Sequence, residues 1–412
     1  MNFLIVGSGG REHSIVQKLT RHQHTVHAAP GNDGMEEAKR VDIPETDFES
    51  LACYAEEENI DWTIIGPEAP LSAGIVDVFR EKGQKVFGPD QSAAVIEGSK
   101  RFAKQLMNKH GIPTAAYEAF TDVGEAHRYI REQGAPIVVK ADGLAAGKGV
   151  IIAESVREAE EAVRSMLEDD EFGAAGREVV VEEYLEGKEF SLMAFVEGDR
   201  VYPMLPARDH KKAFDGDEGP NTGGMGAFAP VPGVTEAKVQ EAVGRILQPA
   251  AEAMLEEGRP FQGILYAGLI ETADGVKVIE FNARFGDPET QVVLPLLEND
   301  LAQVITDVTE GKDPSLEWKD SCSVGVVLAS AGYPGAYEKG KELPGHGCEG
   351  SHFTYAGVTR EGETFRGEGG RVLMAGATGT DLKEARQAVQ KALEPFDASD
   401  CFYYRKDIAE HI

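Results

Sequence analysis

The stretch VVKADGLAAGKGV (138–150) has the small residues and the lysine of a phosphate-binding loop, and its spacing decides which kind. A P-loop has four residues between its first glycine and the Gly-Lys pair, and Ser or Thr follows the lysine. Here Gly143 and Gly147 enclose three residues, and Gly149 follows Lys148. Both flanking segments are apolar and β-branched, whereas a P-loop joins a strand to a helix. The sequence therefore predicts a glycine-rich β-hairpin and not a P-loop.

Two lysines give this hairpin a chemical role. Lys140 ends its first strand, and Lys148 lies between two glycines. A lysine at the end of an apolar strand needs an anionic partner, and an ATP phosphate is a natural one. The glycines allow the backbone to close over phosphates without side-chain clashes. A flexible surface hairpin is the alternative that these residues leave open.

The N-terminal region, about 90 residues long, repeats one pattern, a buried strand that ends in Gly, Pro or Asn. The strand-and-loop segments are 2–10, 25–32, 61–71 and 85–90. Helical spacing of apolar residues separates them. Such alternation is typical of a parallel α/β layer, in which ligands collect at the carboxyl ends of the strands. We therefore expect these loops to face one cleft.

The first loop, GSGGRE (7–12), departs from the dinucleotide-binding fingerprint. That fingerprint has glycine where Glu12 stands and an acidic residue about 20 positions on, where this chain has Pro-Gly-Asn at 30–32. NAD binding is therefore disfavoured. Backbone N–H groups at a helix start still attract an anion, and Arg11 in the first helical turn suits a phosphate partner. A plain tight turn is the alternative.

Beyond residue 92 the patterns indicate mixed lobes. Two helices and an extension occupy 92–120, and a small α/β lobe that contains the glycine-rich hairpin occupies 121–190. A glycine-rich stretch, a helix and two strands follow, and a last unit of short strands begins near 323 and ends in a helix. The chain therefore predicts several α/β and α+β domains.

A strand of the lobe, EVVVEEYL (178–185), ends in carboxylates, and Glu189 follows after a turn. Carboxylates such as Glu182 can accept hydrogen bonds from the amino group of adenine and from ribose hydroxyls. Solvated glutamates at a strand end are the alternative.

The stretch VIEFNARFGDPE (278–289) indicates a metal site. Glu280 and Asn282 lie two apart in a strand and so project from one face, and Glu271 at the end of the preceding strand could join them. Hard oxygen ligands of this kind suit Mg²⁺ bound together with nucleotide phosphates. Arg284 continues the alternation and offers a planar fork to a carboxylate or phosphate.

The composition limits the kinds of binding partner and compartment that we expect. There are 71 Asp and Glu against 41 Lys and Arg, and the formal charge of −30 disfavours nucleic acid and anionic membranes as partners. The four cysteines include no C-x-x-C pair, so they indicate neither a zinc site nor a disulfide framework and fit a reducing compartment. The N-terminus has no leader pattern, and no apolar run approaches the ~18–20 residues of a membrane span. We expect a cytoplasmic protein.

These residues together resemble an ATP-grasp ligase and, more closely, the phosphoribosylamine–glycine ligase (glycinamide ribonucleotide synthetase) family of purine biosynthesis. The resemblance runs from residue 2 to the end of the chain, and the hairpin and GPNTGGMG (219–226) are its most specific parts. Arg208 is a mild departure, because many members have Gln there. The motifs are GSGGREH (7–13), PGN (30–32), GPE (66–68), KADGLAAGKGV (140–150), DHKKAFDGDEGPNTGGMGAF (209–228) and NARFGDPETQ (282–291).

The resemblance implies a multidomain α/β and α+β fold. It comprises an N-terminal Rossmann-like parallel sheet for the substrate (1–100), an ATP-grasp core (101–120 and 191–322), an inserted lid lobe (121–190) and a small C-terminal α+β domain (323–412).

The implied reaction joins 5-phosphoribosylamine to glycine while ATP becomes ADP and phosphate. The carboxylate of glycine attacks the γ-phosphoryl group, and the amine then displaces phosphate from glycyl phosphate. Catalysis would depend on positioning and on charge neutralisation by Mg²⁺ (or Mn²⁺), Lys140, Lys148 and Arg284, with Asp209 beside the reacting groups. The amine is a nucleophile when neutral, which makes a general-base role for His210 less favoured.

The resemblance also assigns binding residues. For the assembly state we expect a monomer or weak homodimer. ATP would contact Lys104, Lys140, Gly147, Lys148, Gly149, Glu182, Tyr184, Leu185 and Glu189. Glycine and phosphoribosylamine would contact Gly9, Gly10, Arg11, Glu12, Asn32, Pro67, Glu68, Asp209, Lys211, Asn221, Gly223, Gly224 and Arg284. The metal ligands would be Glu271, Glu280 and Asn282.

Two other interpretations remain. Another ATP-grasp enzyme of purine synthesis, which carboxylates or formylates an aminoimidazole or glycinamide ribotide, would share the lid and the metal site but should lack GPNTGGMG. A non-catalytic nucleotide-binding protein would be expected to have lost Lys140, Glu280 or Asn282, and all three are present.

Overall fold

The N-terminal unit is a parallel sheet with helices around it, as the sequence predicts. The computed structural model describes residues 1–144, 149–168, 177–345 and 350–410. The elements of this unit are β1 (Asn2–Gly7), α1 (Gly10–Arg21), β2 (Thr25–Pro30), β3 (Lys39–Arg40), α2 (Phe48–Glu57), β4 (Trp62–Ile65), α3 (Glu68–Ser72), α4 (Ile75–Glu81) and β5 (Val86–Phe87). The strands lie in the order β3-β2-β1-β4-β5, all parallel. The loops after β1 and β4 therefore emerge side by side.

A second, antiparallel sheet forms the lobe that carries the predicted hairpin. The elements up to its end are α5 (Gln91–Gly98), α6 (Lys100–Lys109), β6 (Tyr117–Phe120), α7 (Val123–Gln133), β7 (Ile137–Ala141), β8 (Val150–Ala153), α8 (Val156–Glu168) and β9 (Val179–Glu183). Strand order is β6-β9-β7-β8, and Lys140 pairs with Val150 across the hairpin. Apolar faces of α7 and α8 cover this sheet. The two strands of the hairpin are confirmed.

The central region supplies strands to three different sheets. Its elements are β10 (Lys188–Glu197), β11 (Arg200–Pro203), β12 (Arg208–Asp209), β13 (Lys212–Phe214), β14 (Glu218–Asn221), β15 (Gly226–Ala229), α9 (Glu236–Ala242), α10 (Gln248–Glu256), β16 (Gln262–Thr272), β17 (Gly275–Asn282), α11 (Thr290–Val293) and α12 (Leu301–Thr309). β11-β10-β16-β17 form one antiparallel sheet, and β13-β14 form a separate hairpin.

The C-terminal elements are β18 (Cys322–Ser330), β19 (Lys341–Glu342), β20 (Ser351–Tyr355), β21 (Val358–Glu361), β22 (Thr364–Gly367), β23 (Arg371–Gly379), α13 (Leu382–Leu393) and β24 (Phe402–Tyr403). Their main sheet has the order β12-β15-β18-β23-β20, with β24 also paired to β18. β12 and β15 therefore tie the segment between them, which contains the motif GPNTGGMG, to the C-terminal sheet. Among the described residues, no helix is long and apolar enough to cross a membrane.

Candidate active site

One end of the cleft holds a buried carboxylate between two lysines. Lys104 on α6 and Lys140 at the end of β7 place their Nζ atoms 2.8 Å and 2.9 Å from the two carboxylate oxygens of Glu182 on β9. All three side chains are at most 4% exposed. Burial lowers the pKa of Lys104 to about 8, although Glu182 opposes the shift. With two lysines and one glutamate, the group has an excess of one positive charge when all three are ionised, which suits an anionic ligand.

This geometry changes the interpretation of Glu182. Each of its oxygens lies within 3 Å of a lysine, so a role in organising the lysines stands beside the hydrogen bonds to adenine that the sequence predicts. The Nζ atom of Lys140 also donates to the carbonyl of Ile279 on β17 (3.1 Å) and so joins the lobe to the core sheet. Glu182 therefore organises the lysines.

Four more of the residues predicted to bind the nucleotide lie within the described part of the chain. Tyr184 and Leu185 follow β9, and Tyr184 is 40% exposed. Glu189 on β10 lies 3.7 Å from the Nζ atom of Lys211, which had been assigned to the substrate. The carbonyl of Gly149 accepts a hydrogen bond from Ala141 N. Gly147 and Lys148 lie outside the described residues.

The predicted metal pair projects from β17. Glu280 and Asn282 share one face, and the residue opposite Glu280 on β16 is Gly268. Burial alone would raise the pKa of Glu280, but the charges of Lys211, Lys140 and Lys100 outweigh it and hold that pKa below its usual value. A carboxylate and an amide oxygen on one face are ligands that Mg²⁺ accepts when phosphate oxygens complete its shell.

The structure does not bring Glu271 to this pair. Glu271 pairs with Val276 near the turn of the hairpin, and alternation along β16 puts its side chain on the face opposite that of Gly268. Its carboxylate lies 2.5 Å from the Nζ atom of Lys238 instead. The part of the chain that the structure describes contains no cluster of three His, Cys, Asp or Glu side chains suited to a metal. Glu271 is therefore left out of the metal set that we propose.

Arginines connect β17 to the N-terminal loops. The guanidinium of Arg284 lies 3.1 Å from Glu97 and 3.5 Å from Glu68, and it also donates to the side-chain oxygen of Asn282 (3.4 Å). Burial opposes the charged form of Arg284, but Glu97 and Glu68 outweigh it and raise its pKa. Arg11 reaches the same Glu68 at 3.4 Å. The two guanidiniums share Glu68, so an anionic ligand would bind them by displacing that carboxylate.

The carboxylate of Glu12 organises the first loop. It accepts a hydrogen bond from Gly9 N (2.6 Å) and pairs with Arg11 (2.9 Å). A Cβ at Gly66 would lie 2.0 Å from Glu12 Oε1, which explains glycine in the neighbouring loop. Glu12, assigned to the substrate from the sequence, is buried and orders this loop.

Other residues assigned to the substrate from the N-terminal unit differ in accessibility. The amide of buried Asn32 donates to the carbonyls of Ser8 and Tyr355 and accepts from Gly34 N, so it links the N-terminal and C-terminal units. Pro67 and Glu68, at the start of α3, are half-buried, as is Gly9, whereas Gly10 is buried.

The segment 209–224 contains the predicted substrate residues of the central region, and we call it the substrate wall. Asp209 ends β12, and its carboxylate raises the pKa of Lys211. The carbonyl of Lys211 accepts hydrogen bonds from both the backbone and the hydroxyl of Thr222, which brings Asn221 back beside it. Gly224 has φ +111°, and a Cβ there would lie 2.4 Å from the ring of Pro288. Only glycine fits this approach.

Sequence reasoning missed four residues that shape the cleft: Glu97, Asp287, Glu289 and Arg371. Arg371 on β23 donates to the carbonyl of Gly223 (2.7 Å) and pairs with Asp287 (3.2 Å). Buried Glu289 accepts hydrogen bonds from Ser191 and Tyr266. Asp287 and Glu289 stand inside the motif NARFGDPETQ and could have been found there, whereas Glu97 and Arg371 carry no local signal.

Known proteins resemble this chain along nearly its whole length. The chain matches the N domain (residues 1–97), the ATP-grasp (A) domain (98–290) and the C domain (323–411) of phosphoribosylglycinamide synthetase. It is 54% identical to a phosphoribosylamine–glycine ligase of Halalkalibacterium halodurans, over 99% of this chain and 96% of that protein. A crystal structure of phosphoribosylamine–glycine ligase from Thermotoga maritima superposes with a TM-score of 0.86 at 34% identity, over 99% of this chain and all of that one.

A more distant likeness concerns the fold alone. The biotin carboxylase domain of a Hydrogenobacter thermophilus 2-oxoglutarate carboxylase superposes with a TM-score of 0.75 at 16% identity, over 98% of this chain and 91% of that one.

Proposed function

The chain belongs to the phosphoribosylglycinamide synthetase family, and on that premise we propose that it ligates glycine to 5-phosphoribosylamine through glycyl phosphate while ATP becomes ADP and phosphate. One observation carries the proposal. β17 presents Glu280, Asn282 and, just beyond its end, Arg284, and Arg284 reaches Glu68 of the N-terminal unit. The metal pair and the loops proposed for the sugar phosphate therefore border one cleft.

The first step joins glycine to phosphate. A carboxylate oxygen of glycine attacks the γ-phosphorus, the bond to the β,γ-bridging oxygen breaks, and ADP leaves with that electron pair. Glu280 and Asn282 would hold Mg²⁺ or Mn²⁺, and such a metal neutralises charge on the phosphates. Lys140 and Lys104, organised by Glu182, hold the nucleotide phosphates. Arg284 neutralises charge that develops on the transferred phosphoryl group.

The second step forms the carbon–nitrogen bond. The neutral amine of phosphoribosylamine attacks the carbonyl carbon of glycyl phosphate, phosphate leaves with the electron pair of the C–O bond, and the nitrogen releases a proton to the medium. Asp209 orients the amine by accepting one of its hydrogen bonds, and Lys211, Asn221, Gly223 and Gly224 line the same wall. Arg11 holds the sugar phosphate with Gly9, Gly10 and Pro67.

The hairpin at 138–150 acts in this proposal as a lid that keeps water from the acyl phosphate. The roles of Gly147 and Lys148 at its tip are predictions from the sequence alone. We place the protein in the cytoplasm as a monomer or weak homodimer, with neither nucleic acid nor membrane as a partner. The domain limits at 100, 120, 190 and 322 are part of this proposal.

An ADP-release assay tests the assignment. We expect turnover only when glycine, freshly made phosphoribosylamine and Mg²⁺ are present together, because the attacking carboxylate and the acceptor amine come from different molecules. Turnover with bicarbonate or formate in place of glycine, and none with phosphoribosylamine, would favour the other purine-pathway ATP-grasp enzymes.

A further inference from the structure

The C-terminal tail contains a buried arginine that the proposed reaction does not use. Arg405 is 2% exposed. Its Nε and Nη2 atoms donate to the two oxygens of Asp407 (2.8 and 2.6 Å), which is a bidentate pair. Its Nη1 atom donates to Asp217 Oδ1 (2.8 Å) and to the carbonyl of Lys212 (3.0 Å). Arg405 therefore joins the tail to the first residue of β13 and to the turn between β13 and β14.

Further bonds lock the turn of that hairpin to the same tail. Asp407 Oδ2 accepts a hydrogen bond from Gly216 N (2.9 Å), and Asp215 Oδ1 accepts one from Lys406 N (2.8 Å). Gly216 and Asp217 have φ of +73° and +55°, in the left-handed region. The turn is thus held in one specific conformation by groups that lie about 190 residues away in sequence.

Apolar packing contributes little to this hairpin, although the ring of Phe214 lies 5.9 Å from the ring of Tyr403 in the tail. Phe214 at its end is 50% exposed, the residues from 215 to 220 are exposed, and Ala213 is the one buried residue between 212 and 220. Because little apolar surface is removed from water here, polar contacts with the tail decide where the hairpin lies. A buried arginine with two carboxylate partners and a carbonyl is suited to that task.

The hairpin continues directly into the proposed substrate wall. Lys212 follows Asp209, His210 and Lys211, and the backbone of His210 is bonded at both ends, its N–H to Gly226 and its carbonyl to Met225 N. On the returning strand, Asn221 pairs with Lys212 and precedes Gly223. A displacement of the hairpin would therefore move the groups on both sides of the substrate wall.

We propose that Arg405 and Asp407 are positioning residues that fix segment 209–224 in its substrate-binding shape. They contact no reacting group in the proposed reaction. The inference rests on the proposed function, because that function places the substrates against this segment.

Asp407→Asn removes half of the bidentate pair and weakens the bond to Gly216. We expect the KM for glycine and for phosphoribosylamine to rise about tenfold, with the KM for Mg·ATP within about twofold of wild type, because the loss falls on a charge-assisted contact remote from the nucleotide. Arg405→Lys should behave similarly, since an ammonium cannot reproduce the fork. A uniform loss of activity without a change in either KM would mean that the pair only stabilises the fold.

Asp217→Asn tests the hairpin side if the tail variants fold poorly. Asn tolerates the positive φ at this position, and the Asp217 side chain is 61% exposed, so the fold should persist. We expect faster amide exchange over 210–224 and unchanged protection of β18 and β23. Exchange equal to wild type over that segment would overturn the proposal.

Arg386→Met is the matched control. Arg386 donates to the carbonyls of Lys406 and Ile408 and so holds the same tail to α13, but none of its described bonds reaches the hairpin. We expect wild-type substrate KM values and wild-type exchange over 210–224. Effects equal to those of Asp407→Asn would reduce the contacts to general anchoring of the tail and overturn the proposal. If wild-type enzyme shows no glycine-dependent turnover, the proposed function fails. The amide-exchange comparison then still tests whether Arg405 and Asp407 fix segment 209–224.

Discussion

The two ends of the cleft hold their charges differently. At the nucleotide end, Glu182 lies between two lysines and almost no water reaches the group. At the substrate end, Glu68 lies between Arg11 and Arg284, and its side chain is 29% exposed. The first centre has one carboxylate for two cations, whereas Glu12 and Glu97 also pair with the arginines of the second. The two centres also differ in solvation, so the first is expensive to disturb, whereas Glu68 in the second can be displaced by a ligand's phosphate.

The largest effect is expected at the nucleotide end. Glu182→Ala leaves two buried lysines uncompensated and should destabilise the protein by ~3–5 kcal/mol. Glu68→Ala is the matched change at the solvated centre and should cost less than about 1 kcal/mol. Urea unfolding monitored by circular dichroism measures both. Equal losses would show that the two centres do not differ in solvation as described.

The metal pair should be the next most sensitive. Glu280→Gln and Asn282→Ala should each lower kcat/KM for Mg·ATP about a hundredfold with the fold intact, because each removes a ligand or its charge without emptying core volume. Glu271→Gln is the control and should follow the wild-type Mg²⁺ titration. A Glu271 variant as impaired as the others would restore it to the metal set, and wild-type turnover in both ligand variants would remove the metal site from β17.

Arg11→Ala should change the KM for one substrate and leave the KM for the other near wild type. Loss of a charge-assisted bond to phosphate costs ~1.5–3 kcal/mol, so the KM for phosphoribosylamine should rise about tenfold to a hundredfold. The KM for ATP should stay near wild type, because this loop contacts only the substrate end. Steady-state kinetics in each substrate decide, and an equal change for ATP would place the nucleotide in the N-terminal unit.

The smallest effect concerns His210 and pH. Burial, and then the charge of Arg405, lower the pKa of His210 from its ordinary value of 6.5 to about 4. Between pH 6.5 and pH 4 the unfolded chain binds the proton more readily, so stability falls as pH drops through that window and is unaffected by this group above it. His210→Asn should flatten that part of the stability curve, measured by urea unfolding at successive pH values. A difference between variant and wild type that is constant with pH would show that His210 is not held neutral.

Local pattern was sufficient for the fold class and the family, and both are confirmed. Apolar, β-branched segments predicted β7 and β8, and a strand's period of two placed Glu280 and Asn282 on one face of β17. Helical spacing and the residues that end each strand predicted the parallel N-terminal sheet. These features depend on neighbours in sequence, which the chain displays directly. The individual site assignments remain predictions.

What only the tertiary structure decided is the pairing of distant segments. The hairpin register puts Gly268, not Glu271, opposite Glu280, and register is set by turn geometry that side-chain period does not reveal. Arg371 meets Gly223, and Arg405 meets Asp217, because β15, β23 and β24 all join β18. Glu182 lies between two lysines because α6, β7 and β9 converge. Such contacts arise from packing and long-range electrostatics, for which a sequence has no local period.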